Sequence, residues 1–194
     1  MTGAVLVKSY GSLPICKREV LRYAGCKEDT DDVLSLLDEC IKEAEGKISF
    51  KVCYRRFEIE VADGVCDFGD CRFNSADLAK NLSDCKKAVI FAATVGAEFD
   101  RLIAKYSRLS PAKALMLEAL GNERIEALCD AFCDEIGIKT KPRFSAGYGD
   151  LAIDAQRDIF SLLDCERKIG LTLNDSLLMS PSKSVTAITG IVEK

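Results

Sequence analysis

The sequence predicts an α+β fold, a mixed or antiparallel sheet packed with helices. Three observations predict it. The spacing of apolar residues changes along the chain, from a helical 3, 4, 7 pattern at 31–45 to strand-like alternation from Ile48. Asp63-Gly64 sits between two alternating runs, and that dipeptide marks a tight antiparallel hairpin. Helices and hairpin strands then follow one another without a repeating βαβ order. The 194 residues fit one domain spanning 1–194, with no internal repeat, low-complexity segment or linker.

Taken in order, Val5-Leu-Val7 reads as a short strand and Lys17–Tyr23 as a short helix stopped by Gly25. Asp29-Thr30 caps a helix from about Asp31 to Glu45, whose apolar face is Val33, Leu36, Leu37, Cys40, Ile41 and Ala44. Ile48, Phe50 and Val52 alternate with polar residues, and so do Phe57, Ile59 and Val61. The phase reverses near Arg55-Arg56, which predicts a bulge or break there. Val65–Phe68 returns from the hairpin, and Ser75 caps a helix through about Leu82. Ala88–Ala93 is a continuous apolar run, as in a buried strand. Thr94-Val-Gly96 is a turn before a helix over Glu98–Tyr106.

Ser110-Pro111 is a helix start, serine as cap and proline in the first turn. The helix runs to about Ile136 and is stopped by Gly137. Gly121 lies inside its apolar arc, which predicts the close approach of another backbone. Glu118 projects into the same arc and needs a partner or a wet cavity. Glu126 falls beside the arc, where it either meets a cationic group or is solvated. A loop over Lys139–Leu151, a helix from about Ala152 to Leu163, a turn at Ser180-Pro181 and a strand over Val185–Val192 complete the chain.

Composition excludes several classes. Net charge is −4, which argues against a nucleic-acid partner. No apolar run approaches the roughly 20 residues of a membrane helix, and the N-terminus lacks the features of a signal peptide. The expected location is the cytoplasm. Ten cysteines there imply free thiols rather than a disulfide framework. No Cys-x-x-Cys occurs, so their spacing favours packing over metal binding. Histidine is absent, which removes the commonest general base and the commonest metal ligand. Chemistry would therefore rest on a bound cofactor or another protein.

The segment Arg143-Phe-Ser-Ala-Gly-Tyr-Gly-Asp150 combines a fixed cation, small residues, an aromatic ring and two glycines. Read on its residues, it is either a plain connection or the backbone lining of a small-molecule pocket. Arg143 is either a surface arginine or a fork for a carboxylate or phosphate. Tyr148 is either a packing residue or a lid on a ligand.

That segment resembles the activation domain of vitamin B12-dependent methionine synthase, in its short stand-alone form. So do Gln156–Leu163, Ile169-Gly-Leu-Thr-Leu173 and Met179-Ser-Pro-Ser-Lys-Ser-Val-Thr-Ala187, together with Val89–Asp100 and Arg18–Tyr23. The resemblance implies S-adenosylmethionine as ligand. It assigns Arg143 to the ligand carboxylate, places Ser145, Ala146 and Gly147 against the adenosine, and puts Tyr148 and Glu126 nearby. It also implies cobalamin carried by a separate methionine synthase, or another corrinoid methyltransferase, and a flavodoxin or ferredoxin type electron donor. The chain itself then supplies no catalytic residue and no metal ligand. Ala146 stands where the family usually has proline, so the loop is expected to be less rigid. Larger activation domains have an extra leading segment with an acidic ligand contact and further tyrosine-bearing strands. Neither contact is placed here. The rival reading is an interaction protein that keeps the fold without the ligand site.

Overall fold

The computed structural model describes residues 3–136 and 139–192. The first half gives β1 (Leu6–Tyr10), α1 (Lys17–Tyr23), α2 (Asp31–Ala44), β2 (Phe50–Glu58), β3 (Glu60–Ala62), β4 (Val65–Asp67), β5 (Arg72–Asn74), α3 (Ala76–Leu82) and β6 (Lys87–Thr94). The second gives α4 (Ala97–Leu109), α5 (Pro111–Ile136), α6 (Ala155–Leu163), α7 (Cys165–Ile169), β7 (Thr172–Leu173), β8 (Met179–Ser180) and β9 (Ser184–Ile191). The fold is α+β. Its main sheet is antiparallel throughout, in the order β1-β2-β6-β9, with small β3-β4-β5 and β7-β8 sheets beside it.

The main sheet is covered on both faces. Along β6, Val89, Phe91 and Ala93 join a core formed with α1, α2, α4 and α5. Ala88, Ile90 and Ala92 join a second core with α3, α6, α7 and the β3-β4-β5 sheet. That is the period-2 rule with both faces apolar, and it explains the continuous run in sequence. Each such fully buried Val, Ile or Phe stabilises by about 1.5–3 kcal/mol relative to an exposed one.

The same geometry corrects the reading of β2. No bulge or break occurs at Arg55–Arg56: β2 pairs with β6 residue for residue from Lys51↔Thr94 to Glu58↔Lys87. The phase reverses because the strand serves two cores. Phe50, Val52 and Tyr54 face one, whereas Cys53 and Phe57 face the other.

Some local signals carried through and others did not: Thr30 stands before α2 but its side chain makes no cap hydrogen bond, and α6 begins at Ala155 rather than Ala152. Ser75 Oγ accepts a hydrogen bond from Leu78 N at 2.9 Å and caps α3. Asp63 and Gly64 both take positive φ, 51° and 77°, as a tight hairpin turn requires. The expected stop at Gly137 lies outside the described residues. Gly121 is a correction. A Cβ there would lie 2.7 Å from the Phe99 ring and 2.9 Å from Lys183 Cγ, so side chains approach it, not another backbone. Glu118 has the partner its position demanded, the Lys183 ammonium.

All ten cysteines are free thiols and seven of them are buried. Burial pushes the thiols of Cys40, Cys66 and Cys71 up to about 11, so they stay protonated at neutral pH. Among the described residues no group of three or more Cys, Asp or Glu is placed to hold a metal. No described helix is long and apolar enough to cross a membrane.

Candidate functional site

The segment after α5 is less of a loop than its sequence implies. Residues 139–144 run antiparallel along β9, with bridges at Thr140↔Ile191 and Phe144↔Ile188. Phe144 N donates to Ile188 O at 2.9 Å and Ile188 N returns to Phe144 O at 2.8 Å. The buried Phe144 ring meets Tyr148 edge-on, with centroids 5.2 Å apart. The chain then turns on itself: Tyr148 N donates to Ser145 O, and Gly147 N to Leu151 O. Those bonds hold the turn in the absence of a proline at Ala146. Gly147 has φ 84° and Gly149 has φ 56°. A Cβ on Gly149 would lie 2.5 Å from an Asp77 carboxylate oxygen, so space as well as φ requires glycine there.

Asp150 ties this turn to α3. Its carboxylate accepts from Ala76 N at 2.8 Å, from Asp77 N at 3.2 Å and from the Ser75 hydroxyl. The Ser75 hydrogen bond, followed by the two backbone N–H groups, lowers the Asp150 pKa below the ordinary carboxylate value. A depressed folded-state pKa stabilises at pH above the unfolded value and is lost as pH falls through the folded one. Asp150→Asn should therefore lower the urea midpoint at neutral pH, and the gap to the parent should close below about pH 4. A gap that stays constant from pH 7 to pH 3, or none at all, would refute this role.

The opposite wall is built from the 179–186 segment. Ser180-Pro181 is a cis peptide. Ser182 donates its N–H and its hydroxyl to Asp100, at 2.6 and 3.0 Å. Lys183 donates to Asn122 Oδ1 at 2.8 Å and pairs with Glu118. Ser184 donates to Pro181 O at 2.8 Å, and the Thr186 hydroxyl donates to Gln156 Oε1 at 2.8 Å. Three helices, α4, α5 and α6, thus hold one short stretch of chain.

Between these walls lies a cleft of about 480 Å³, lined by Ser145, Ala146, Ile153, Gln156, Met179 and Thr186 among others. Its size suits a small molecule. A separate cleft of about 600 Å³ is lined by Lys80, Lys141, Arg143, Phe144 and Tyr148. The two clefts share no lining residue.

The predicted site residues are therefore divided. Ser145 and Ala146 line the first cleft, and Gly147 packs toward Ile153 at its rim. Arg143 and Tyr148 line the second, and Tyr148 is 67% exposed. Glu126 lines neither cleft. Its carboxylate accepts from Arg143 NH2 at 2.6 Å, while Asp130 accepts from NH1 at 2.5 Å. Burial opposes the Arg143 charge, but Asp130 and the other nearby anionic groups outweigh it and raise its pKa. Sequence reasoning missed Gln156, Ile153 and Thr186. A signal for Gln156 existed: it lies three and seven residues before the buried Ile159 and Leu163, a polar residue on an apolar face.

No model of a known protein family matches the chain, and no curated protein matches it. Among solved structures, it superposes on a crystal structure of the MetH reactivation domain bound to AdoHcy. The TM-score is 0.69 at 14% sequence identity, over 96% of this chain and 78% of that one. The chain has the MetH reactivation-domain fold. At that identity the likeness is one of fold, and it agrees with the α+β architecture expected from the sequence.

Proposed function

We propose that this chain binds S-adenosylmethionine in the cleft beneath Ser145 and Ala146. In that reading it serves a separate cobalamin-dependent methionine synthase, supporting reductive methylation of oxidised cobalamin. The observation that carries the proposal is the pairing of that cleft with the fold. A small-molecule cleft lies beneath the motif residues, in a chain that superposes on a domain solved with AdoHcy.

The chemistry asked of the chain is modest. S-adenosylmethionine supplies a methyl group already activated by its sulfonium, and a flavodoxin or ferredoxin type protein supplies the electron. The chain's own residues bind and orient. Ser145 and Ala146 present backbone and small side chains to the ligand. Ile153 and Met179 give it apolar walls, and the clamped 182–186 segment keeps the cleft open without reorganisation. The exposed Tyr148 belongs to the face offered to the corrinoid protein.

One observation favours the rival reading, an interaction protein without a ligand. Arg143 is already bonded to two carboxylates, so a ligand carboxylate must compete with Glu126 and Asp130. Calorimetric titration with S-adenosylmethionine separates the two. The parent chain should bind, and if the ligand carboxylate extends from this cleft to Arg143 in the neighbouring one, Arg143→Ala weakens binding about tenfold, the worth of one charge-assisted hydrogen bond. Unchanged affinity would confine Arg143 to its ion-pair cluster. No binding by the parent chain, together with no rescue of a methionine synthase lacking its own activation domain, would leave the interaction protein standing.

A further inference from the structure

Polar side chains are scarce in the two cores, and several of them gather at this cleft. Gln156 is 4% exposed, Thr186 2% and Ser184 8%, and all three line it. Burying such groups is costly unless each finds a partner. Ser184 has Pro181 O, and Thr186 has Gln156 Oε1. The Gln156 amide nitrogen differs. Its carbonyl oxygen is engaged, yet among the described residues the nitrogen makes no hydrogen bond within the protein. It is not sealed in the core either, because Gln156 lines the cleft. A primary amide carries two N–H donors, so both are open to an acceptor in the cleft.

We infer that Gln156 is a specificity-determining residue whose amide N–H donors take a ring-nitrogen acceptor of a purine. This rests on the proposal that the cleft binds an adenosyl ligand, and it names how the base is read. The surroundings fit a flat heterocycle. Ile153, Leu177, Leu178, Met179 and Val185 make the remaining surface largely apolar, and thioether sulfur packs well against aromatic rings. Ala146 adds little bulk, so a ring can approach the backbone. Thr186 holds the Gln156 carbonyl and with it the direction of the nitrogen. A site built to donate a hydrogen bond discriminates strongly against an isostere that lacks the acceptor, since the donor is then stranded.

The test is a titration of the parent chain with S-adenosylhomocysteine and with analogues in which each purine ring nitrogen in turn is replaced by C–H. One analogue should bind about tenfold more weakly than the parent ligand, and the others should bind nearly as well. Gln156→Met, checked for its fold by circular dichroism, should lose a similar factor with S-adenosylhomocysteine. It should lose nothing further with the sensitive analogue. Equal affinity of the parent chain for every analogue would overturn the inference while leaving the ligand proposal intact. Failure of the parent chain to bind S-adenosylhomocysteine or S-adenosylmethionine would overturn both.

Discussion

Arg124→Met should lose about 3–5 kcal/mol of stability to urea, the usual result of stranding one half of a buried ion pair. Arg124 is 1% exposed and its neighbour Glu123 is 5% exposed. The guanidinium donates to both Glu123 oxygens, at 2.5 and 2.6 Å, and to the carbonyls of Leu13 and Pro14, at 2.7 and 2.5 Å. Glu123 also accepts from Cys16 N at 2.9 Å. The pair therefore fastens the segment between β1 and α1 across α5. Methionine has the length to fill the volume but no donor, so a carboxylate is left in the interior and two carbonyls lose their bonds. The double variant Arg124→Met/Glu123→Leu should recover a good part of the loss, because the segment is largely exposed and water can reach its carbonyls. The check is an equilibrium urea series on the parent, both singles and the double. A single-variant loss below about 1 kcal/mol, or a double no better than the single, would show that the pair does not hold the segment.

The second large effect is expected at Gly121. Replacing a helical glycine ordinarily stabilises: alanine gains about 1 kcal/mol, and valine a few tenths. Packing acts in the other direction here. A Cβ would meet the Phe99 ring at 2.7 Å and the Lys183 stem at 2.9 Å. Overpacking of this kind costs about 1–3 kcal/mol, so with valine the clash outweighs propensity. Gly121→Val should be about 2 kcal/mol less stable than the parent, and Gly121→Ala closer to neutral. The displaced side chain that matters is Lys183, 11% exposed and paired with Glu118 and Asn122. It lies next to Ser182 and Ser184, which line the cleft. Gly121→Val should therefore also weaken S-adenosylmethionine binding, and calorimetry beside a thermal melt would show both. Full stability in the valine variant would mean that Phe99 and Lys183 yield freely and that the wall is not clamped.

Local chemistry was legible in the residues. Helix caps, turn dipeptides and apolar periodicity act within a few positions, which is why α1, the Ser75 cap, the Asp63-Gly64 turn and β6 stand where the pattern predicts them. Elements whose stability comes from elsewhere were not legible. β5, α7, β7 and β8 are two to five residues long, too short for a period, and exist because neighbours cover them. The phase change in β2 has the same origin, since only a second core on the far face gives Cys53 and Phe57 somewhere to go.

The motif Arg143–Asp150 and its relatives along the chain were visible in the sequence by itself, as residue types suited to a ligand. The tertiary structure alone decided which charges meet. Arg143 reaches Glu126 and Asp130 across a loop, and Lys183 reaches Glu118 from the turn before β9. It also alone decided that Ser145 and Ala146 open onto one cleft while Arg143 and Tyr148 open onto another. The physical reason is reach. A cap or a turn is settled by torsions and hydrogen bonds along a few bonds of chain. An ion pair or a cleft is settled by where packing of both sheet faces brings distant segments, and no local pattern records that.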